Sequence, residues 1–424
     1  MTETVLVLND YCHINGGASR VAIDEAVALS KSGLKVIFLG ANGPVCKELA
    51  EAAIEVVNLD QPELLQALRS PGILLQGLWN RTAARATAKI LDGLDPAQTI
   101  VHLHGYTKAL STSPVRVASG RGFHVVCTLH DFFAACPNGA FFDYTANTPC
   151  QRRALSLSCL TTQCDKRSAS QKAYRVVRSL AQRAAGSFPA SVHHYISLSR
   201  RSTEILRPYL PEGANIYPLG NMIPVEQRPR VDVGANRNIV AIGRLDREKG
   251  VEVLLEASRA SGVPILFVGE GPLRPMVEAT PGCRVTGWLD PAGVEREIEQ
   301  ARAVVFPSLW YETFGLVVSE AAAKGVPSIV SDVSAASERV RHGETGWVMR
   351  SGDAVDLAGR LRELADDDLV ARVGRQAYEA FWRSPPDRKH HVAGLVEIYR
   401  AVLETSARAV PQGNAMRTDA GAAH

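Results

Sequence analysis

Two carboxylates and two cations in this chain have the types and spacing to act on a charged leaving group. Glu312 and Glu320 stand with seven residues between them in FPSLWYETFGLVVSEAAAKGVPSIVSD, residues 306–332. Glu312 falls in a loop before a helix and Glu320 about one turn inside it, so both lie at the same helix end. Phe314-Gly315-Leu316 between them offers backbone N–H groups where the helix dipole is positive, which suits a diphosphate. Upstream, GRLDREKG places Arg244 and Lys249 on the turn after an apolar strand. Fixed cations there can neutralise the charge that develops on a departing phosphate. Taken singly, an E-x7-E spacing is commonplace, and an Arg and a Lys after a strand are ordinary surface charges.

Two more strands end in histidine, within HLHG at 102–105 and TLHD at 128–131. A histidine at the carboxyl end of a parallel strand points into the ligand crevice, which makes His130, and after it His104, candidates. Gly16-Gly17 sits between the first strand and first helix, where a ligand can approach bare backbone. A plain tight turn explains those glycines equally well. Cys136, Cys150, Cys159 and Cys164 are half of the eight cysteines and fall in a loop-rich insertion, 132–187. Four thiolates there suit a metal centre that supplies folding free energy the segment lacks. No C-x-x-C occurs, so zinc, a 4Fe–4S cluster and four unrelated thiols all stay open. Cys12, Cys46, Cys127 and Cys283 are scattered and read as small apolar residues.

These residues need a scaffold of alternating strands and helices. Strands are expected at 5–8, 35–39, 55–59, 73–75, 99–103, 124–129 and 195–198, with helices at 19–32, 62–69 and 82–91 among them. The alternation predicts a parallel sheet. A second set follows the polar segment 224–237, with strands at 238–242, 264–268, 284–286 and 303–306. Between Gln151 and Leu210 there are eleven Lys or Arg against two acids. Within that stretch, 168–185 reads as an amphipathic helix with Tyr174, Val177, Leu180 and Ala181 on one face. Lys172, Arg175, Arg178 and Arg183 fall elsewhere around it, for an anionic membrane surface or a lipid diphosphate.

At 424 residues, with 46% hydrophobic and 21% charged content, the chain has the composition of an ordinary globular protein of two domains. No apolar run is long enough to span a membrane, and MTETVLVLND reads as a first strand instead of a signal peptide. A cytoplasmic protein, at most peripheral at the inner membrane face, is the expectation.

The segment around Glu312 and Glu320 resembles the E-x7-E signature of retaining glycosyltransferases of family 4, down to the preceding Pro-Ser and the internal Phe-Gly. GRLDREKG resembles that family's donor-phosphate site, TLHD its strand end beside the donor sugar, and Asn15-Gly16-Gly17 its Gly-rich loop. Two departures are Ala18 in place of a third glycine and Thr313 where a glycine is frequent. The resemblance runs from about residue 4 to 403 and covers the insertion least.

It implies the GT-B architecture: two facing Rossmann-like domains with a cleft between. Residues 1–222 would form the acceptor side and 223–384 the nucleotide-sugar domain. A helix at 385–405 would cross back to the first domain, leaving 406–424 as a disordered tail. The implied activity is transfer of a sugar from a nucleotide-sugar donor, with retention, to a lipid-linked glycan in cell-surface polysaccharide synthesis. His130 and Glu312 would be catalytic, Glu312 on donor-sugar hydroxyls. Phe314, Gly315 and Leu316 would present amides to sugar and phosphates, Glu320 would bind the ribose, and Arg244 and Lys249 the diphosphate. Gly16 and Gly17 would face the sugar and acceptor. No catalytic divalent cation and no nucleic-acid partner are expected. The alternative is a non-catalytic nucleotide-sugar-binding or scaffold protein of the same fold.

Overall fold

Apolar runs closed by turn residues build two parallel sheets. The computed structural model describes residues 2–64 and 71–409. The first sheet has seven strands, in the spatial order Ile54–Asn58, Lys35–Asn42, Thr4–Tyr11, Thr99–Leu103, His124–Thr128, His194–Ser197 and Asn215–Pro218. The second has six: Arg284–Val285, Ile265–Val268, Asn238–Ile242, Ala301–Phe306, Ser328–Ser331 and Gly346–Met349. Every neighbouring pair within them is parallel. Thr4–Tyr11 is buried along its whole length, as a central strand covered by helices on both faces must be. Helix starts are chemically marked: the side chains of Asn80, Ser168, Asp290 and Asp366 each accept a backbone N–H from the first turn they cap.

The last helix, Arg388–Ala409, lies on the first sheet's side, as expected. Leu395, Tyr399 and Val402 pack there with Val5, Ile23 and Leu29. The expected tail beyond residue 409 and the expected helix at 62–69, from residue 65 on, lie outside the described residues.

Three sequence expectations are corrected. Ile73–Leu75 is no strand but part of a helix, Pro71–Leu78. Three apolar residues do not distinguish the two periods, and a hydrogen bond from Tyr174 Oη to the Leu74 carbonyl, 3.0 Å, ties this helix to Ala169–Ala184. Residues 335–341, which also read as helix from the sequence, hold only a short 3-10 turn, Ala335–Arg339. The basic helix forms as expected, but its faces are inverted. Lys172 and Arg178 are buried while Val177 and Leu180 are half exposed. Arg183 is exposed, but two other cations serve the interior: Arg178 donates to the Thr107 carbonyl at 2.9 Å and stacks on Phe133, and Arg175 pairs with buried Asp165 at 3.0 Å. Lys172 and Arg178 therefore cannot face a membrane.

The insertion has no core of its own and borrows two. Phe132, Ala135, Cys136 and Phe141 join the core beneath the first sheet. Ala140 and Phe142, beside the hairpin Phe142–Asp143/Thr148–Pro149, pack on Leu309 from the second half of the chain.

Candidate active site

The strand Ala301–Phe306 delivers Pro307 and Ser308 to the mouth of the cleft, beside the end of Asn238–Ile242. There Arg244, Lys249, Phe306, Pro307 and Ser308 line one pocket. Gly250 makes this approach possible. Its φ is +74° and an added Cβ would stand 2.0 Å from the Pro307 carbonyl oxygen, so only glycine lets the two loops touch. Lys249 is thereby aimed at Glu312: Nζ donates to Oε1 at 2.6 Å, and Ser308 Oγ donates to the same oxygen at 2.6 Å.

Glu312 adopts φ +49°, and Gly315, which starts the helix Leu316–Ala323, adopts φ +87°. A non-glycine residue held left-handed costs on the order of 1–3 kcal/mol and marks a segment fixed by its surroundings. Arg339 provides part of that fixing, stacking its guanidinium 3.5 Å from the Phe314 ring centre and donating to the Phe314 carbonyl at 3.1 Å. Glu320 lies one turn in, and burial raises its carboxyl above the ordinary range while Arg20 pulls the other way. Arg20 Nη1 reaches to 3.9 Å from Glu320 Oε1 out of the first helix. Gly17 stands in the same place; a Cβ there would lie 3.6 Å from Leu316 Cδ1.

Arg244 is two-thirds exposed, with its guanidinium 3.0 Å from Glu248 Oε1 and 3.5 Å from Asp246 Oδ2. Lys166 of the insertion joins the same carboxylates, 2.6 Å from Asp246 and 3.4 Å from Glu248. A charge network therefore spans the cleft at this corner.

His130 approaches from the first sheet. Its carbonyl accepts from Thr313 Oγ1 at 3.0 Å, which brings it to the Glu312 loop. Its ring stacks on His104, with His104 Nδ1 and His130 Nε2 2.9 Å apart. Burial lowers the His130 imidazole to about 4 and His102 likewise, so both rings are neutral near pH 7. Behind them lies Glu25, bonded to His391 Nε2 at 2.9 Å. His102 is held by Thr128 and by Tyr399 of the last helix, each at 2.7 Å.

Among the described residues, Glu25, His102 and His104 are the one group of three or more His, Cys, Asp or Glu with ligand atoms all within 4.8 Å of each other. Each already has a protein partner, so the group reads as a hydrogen-bond network. The sulfurs of Cys136, Cys150, Cys159 and Cys164, the expected metal ligands, form no such group. Zn–S bonds of about 2.3 Å in a tetrahedron need sulfurs roughly 3.8 Å apart, and no three of these sulfurs come that close. The Lys172 ammonium sits among them, 3.0 Å from Cys164 Sγ and 3.8 Å from Cys159 Sγ. An iron–sulfur cluster bound by these two would have to displace it.

The sequence reading thus found both sides of the cleft: Gly16, Gly17 and His130 on one, Arg244, Lys249, Glu312, Phe314, Gly315, Leu316 and Glu320 on the other. It missed Arg20, Lys166, Asp246, Glu248 and Arg339, which act across it. Ser308 carried a signal, standing one helical turn's length before Glu312; Lys166 carried none.

Two facing Rossmann-like sheets, a cleft between them and a last helix crossing back define the GT-B architecture. Solved structures of that architecture superpose on nearly the whole chain. Anabaena HepE in complex with UDP and glucose matches with TM-score 0.63 and 18% identity, over 96% of this chain and 100% of that one. Sucrose-phosphate synthase from Thermosynechococcus elongatus matches with TM-score 0.67 and 18% identity, over 95% and 100%.

In sequence, residues 236–367 match the family model for glycosyl transferases group 1. The chain is 33% identical over 186 residues to D-inositol 3-phosphate glycosyltransferase of Rhodococcus erythropolis, covering 38% of this chain and 40% of the relative. It is 30% identical over 171 residues to phosphatidyl-myo-inositol mannosyltransferase of Mycobacterium leprae, covering 38% and 45%. The chain thus matches less than half the length of these curated relatives.

Proposed function

We propose that this protein is a glycosyltransferase that moves a sugar from a nucleotide-sugar donor to a glycan acceptor with retention of anomeric configuration. The observation that carries the reading is the Lys249–Glu312–Ser308 junction at the start of the helix Leu316–Ala323, with Arg244 exposed beside it. Cations held beside the start of a helix are what a departing nucleoside diphosphate needs.

In this reading Arg244 and Lys249 neutralise the diphosphate as it leaves, and the amides of Phe314, Gly315 and Leu316 meet its oxygens and the sugar. Glu320 takes the ribose hydroxyls, with Arg20 closing over it from the acceptor side. Glu312, held by Lys249 and Ser308, orients the sugar hydroxyls. His130, neutral and braced by His104, faces the sugar from the opposite wall. The acceptor approaches along Gly16 and Gly17, and the proton it loses goes to the departing phosphate. No divalent cation is assigned a role. Relatives named for inositol-containing acceptors support a lipid-linked or polyol acceptor, with the enzyme working at an anionic membrane surface in cell-surface glycan synthesis.

A thermal-shift screen against UDP-, GDP-, ADP- and dTDP-sugars tests the donor site. A ligand at about 100 times its Kd stabilises by about 2.7 kcal/mol. One nucleotide series should raise Tm in the wild type and not in Lys249→Ala. No shift with any of them would contradict the reading.

A further inference from the structure

Lys172 is 4% exposed, and among the described residues its ammonium meets sulfur alone: Cys164 Sγ at 3.0 Å and Cys159 Sγ at 3.8 Å. Cys164 is itself buried and held in place, its carbonyl accepting from Asn138 Nδ2 at 2.8 Å and its sulfur lying 3.3 Å from the same nitrogen. A buried ammonium without a carboxylate is costly unless its charge is cancelled. A thiolate at Cys164 would cancel it. A covalent link would remove the charge altogether.

We propose that Lys172 and Cys164 form an oxidative cross-link, Nζ–O–Sγ, and that the closed segment secures the insertion's grip on the Arg244 loop. The co-reactant is dioxygen, small and apolar enough to reach a buried pair. The Lys172 amine and Cys164 thiol react with one O2. One N–H bond, the S–H bond and the O–O bond break, and an N–O and an O–S bond form. One oxygen bridges; the other leaves as water with the two displaced hydrogens. Sulfur and nitrogen each give two electrons, which reduces both oxygen atoms. Excess dithiol returns the four electrons and restores amine, thiol and water.

The cross-link bears on the cleft through position. Cys164 is followed at once by Asp165, which pairs with Arg175, and by Lys166, which crosses to Asp246 and Glu248. Closing 164 onto 172 ties this segment to the helix Ala169–Ala184 and limits how far Lys166 can withdraw. Arg244 shares those carboxylates, so the state of the cross-link would change its freedom. That consequence rests on the donor-site reading; the cross-link does not.

The test is peptide mapping by mass spectrometry of the wild-type protein, digested without reductant after equilibration in air. The expected result is a linked pair of peptides joining Lys172 to Cys164, heavier by one oxygen and lighter by two hydrogens than their sum. It should vanish after dithiothreitol and be missing from both Cys164→Ser and Lys172→Arg. A free Cys164 thiol in the air-equilibrated protein would overturn the proposal. So would a Cys159–Cys164 disulfide, or stoichiometric zinc or iron that shields the thiols. All three are read on the wild type, so failure of a variant to fold leaves the test intact. A cross-link present in a protein that binds no nucleotide sugar would refute the function and not the modification.

Discussion

At the scale of single residues, the chemistry rests on a few charges whose neighbours set their state. Lys249 and Glu312 share a 2.6 Å contact, and Ser308 holds the same oxygen. Lys249→Ala or Arg244→Ala should lower kcat/KM by roughly 10²- to 10³-fold, the scale for losing one preorganised charge stabiliser. Glu312→Gln should abolish turnover, because it breaks the Lys249 pair and alters the proposed sugar contact together. Glu320→Ala should weaken nucleotide binding more than it lowers kcat. Steady-state kinetics with the donor found by thermal shift checks each, and equal kcat/KM for wild type and Lys249→Ala would remove Lys249 from the mechanism. These residues were legible from sequence because each sits on a strand-to-helix turn in a recognisable string. Arg20 and Lys166 were not, because a long cation in a helix or loop carries no mark of the carboxylate it will meet 300 or 80 residues later in the fold.

At the scale of elements, strands and helix ends were readable because buried apolar runs and capping residues are local signals. The inverted face of the helix Ala169–Ala184 was not. Amphipathic reading assumes that cations seek water, and here Lys172 and Arg178 are bound to sulfur and carbonyl partners inside. Two predictions belong to elements. Gly250→Ala should destabilise the protein by more than about 1–2 kcal/mol, the cost of a left-handed non-glycine residue, since its Cβ would also collide with Pro307. Chemical denaturation measures this, and a change under a few tenths of a kcal/mol would contradict the packing described.

The second concerns the anchor of the last helix, where His391 meets Glu25 among His102, His104 and Tyr399. Burial alone would lower the His391 imidazole, but Glu25 raises it above its ordinary 6.5. Burial likewise opposes the Glu25 charge, yet the histidine beside it brings Glu25 below 4.5. A raised histidine stabilises fully below its unfolded value, and that contribution fades as pH rises through its folded value. A lowered carboxylate stabilises above its unfolded value and fades in acid. The anchor is therefore complete between about pH 4.5 and 6.5 and weakens above, as His391 loses its proton. Hydrogen exchange in 388–402 should accelerate from pH 6.5 to 9 beyond the intrinsic rate change, and His391→Gln should flatten that excess. Protection independent of pH in the wild type would refute it.

At the scale of the whole molecule, both halves of the chain face one cleft, and the contacts across it come from opposite directions. Thr313 reaches the His130 carbonyl, Arg20 reaches Glu320, and Lys166 reaches Asp246. The two-sheet plan was legible because strand and helix alternate twice around a polar segment. How the insertion bridges the halves was not, since its side chains fold on surfaces supplied by both. Lys166→Ala should loosen the Arg244 corner and, on the proposed donor site, raise the donor KM several-fold with kcat changed less; a KM unaltered within error would show that the bridge is incidental. The central claim, that the Arg244, Lys249 and Glu312 loops form a donor site for glycosyl transfer, is tested most directly by nucleoside diphosphate release. Wild type and Lys249→Ala are each incubated with the four nucleotide-sugar series. One series should release diphosphate with wild type, at a rate lowered roughly 10²-fold or more by the substitution. Release from none of them, or equal release by both proteins, would contradict it.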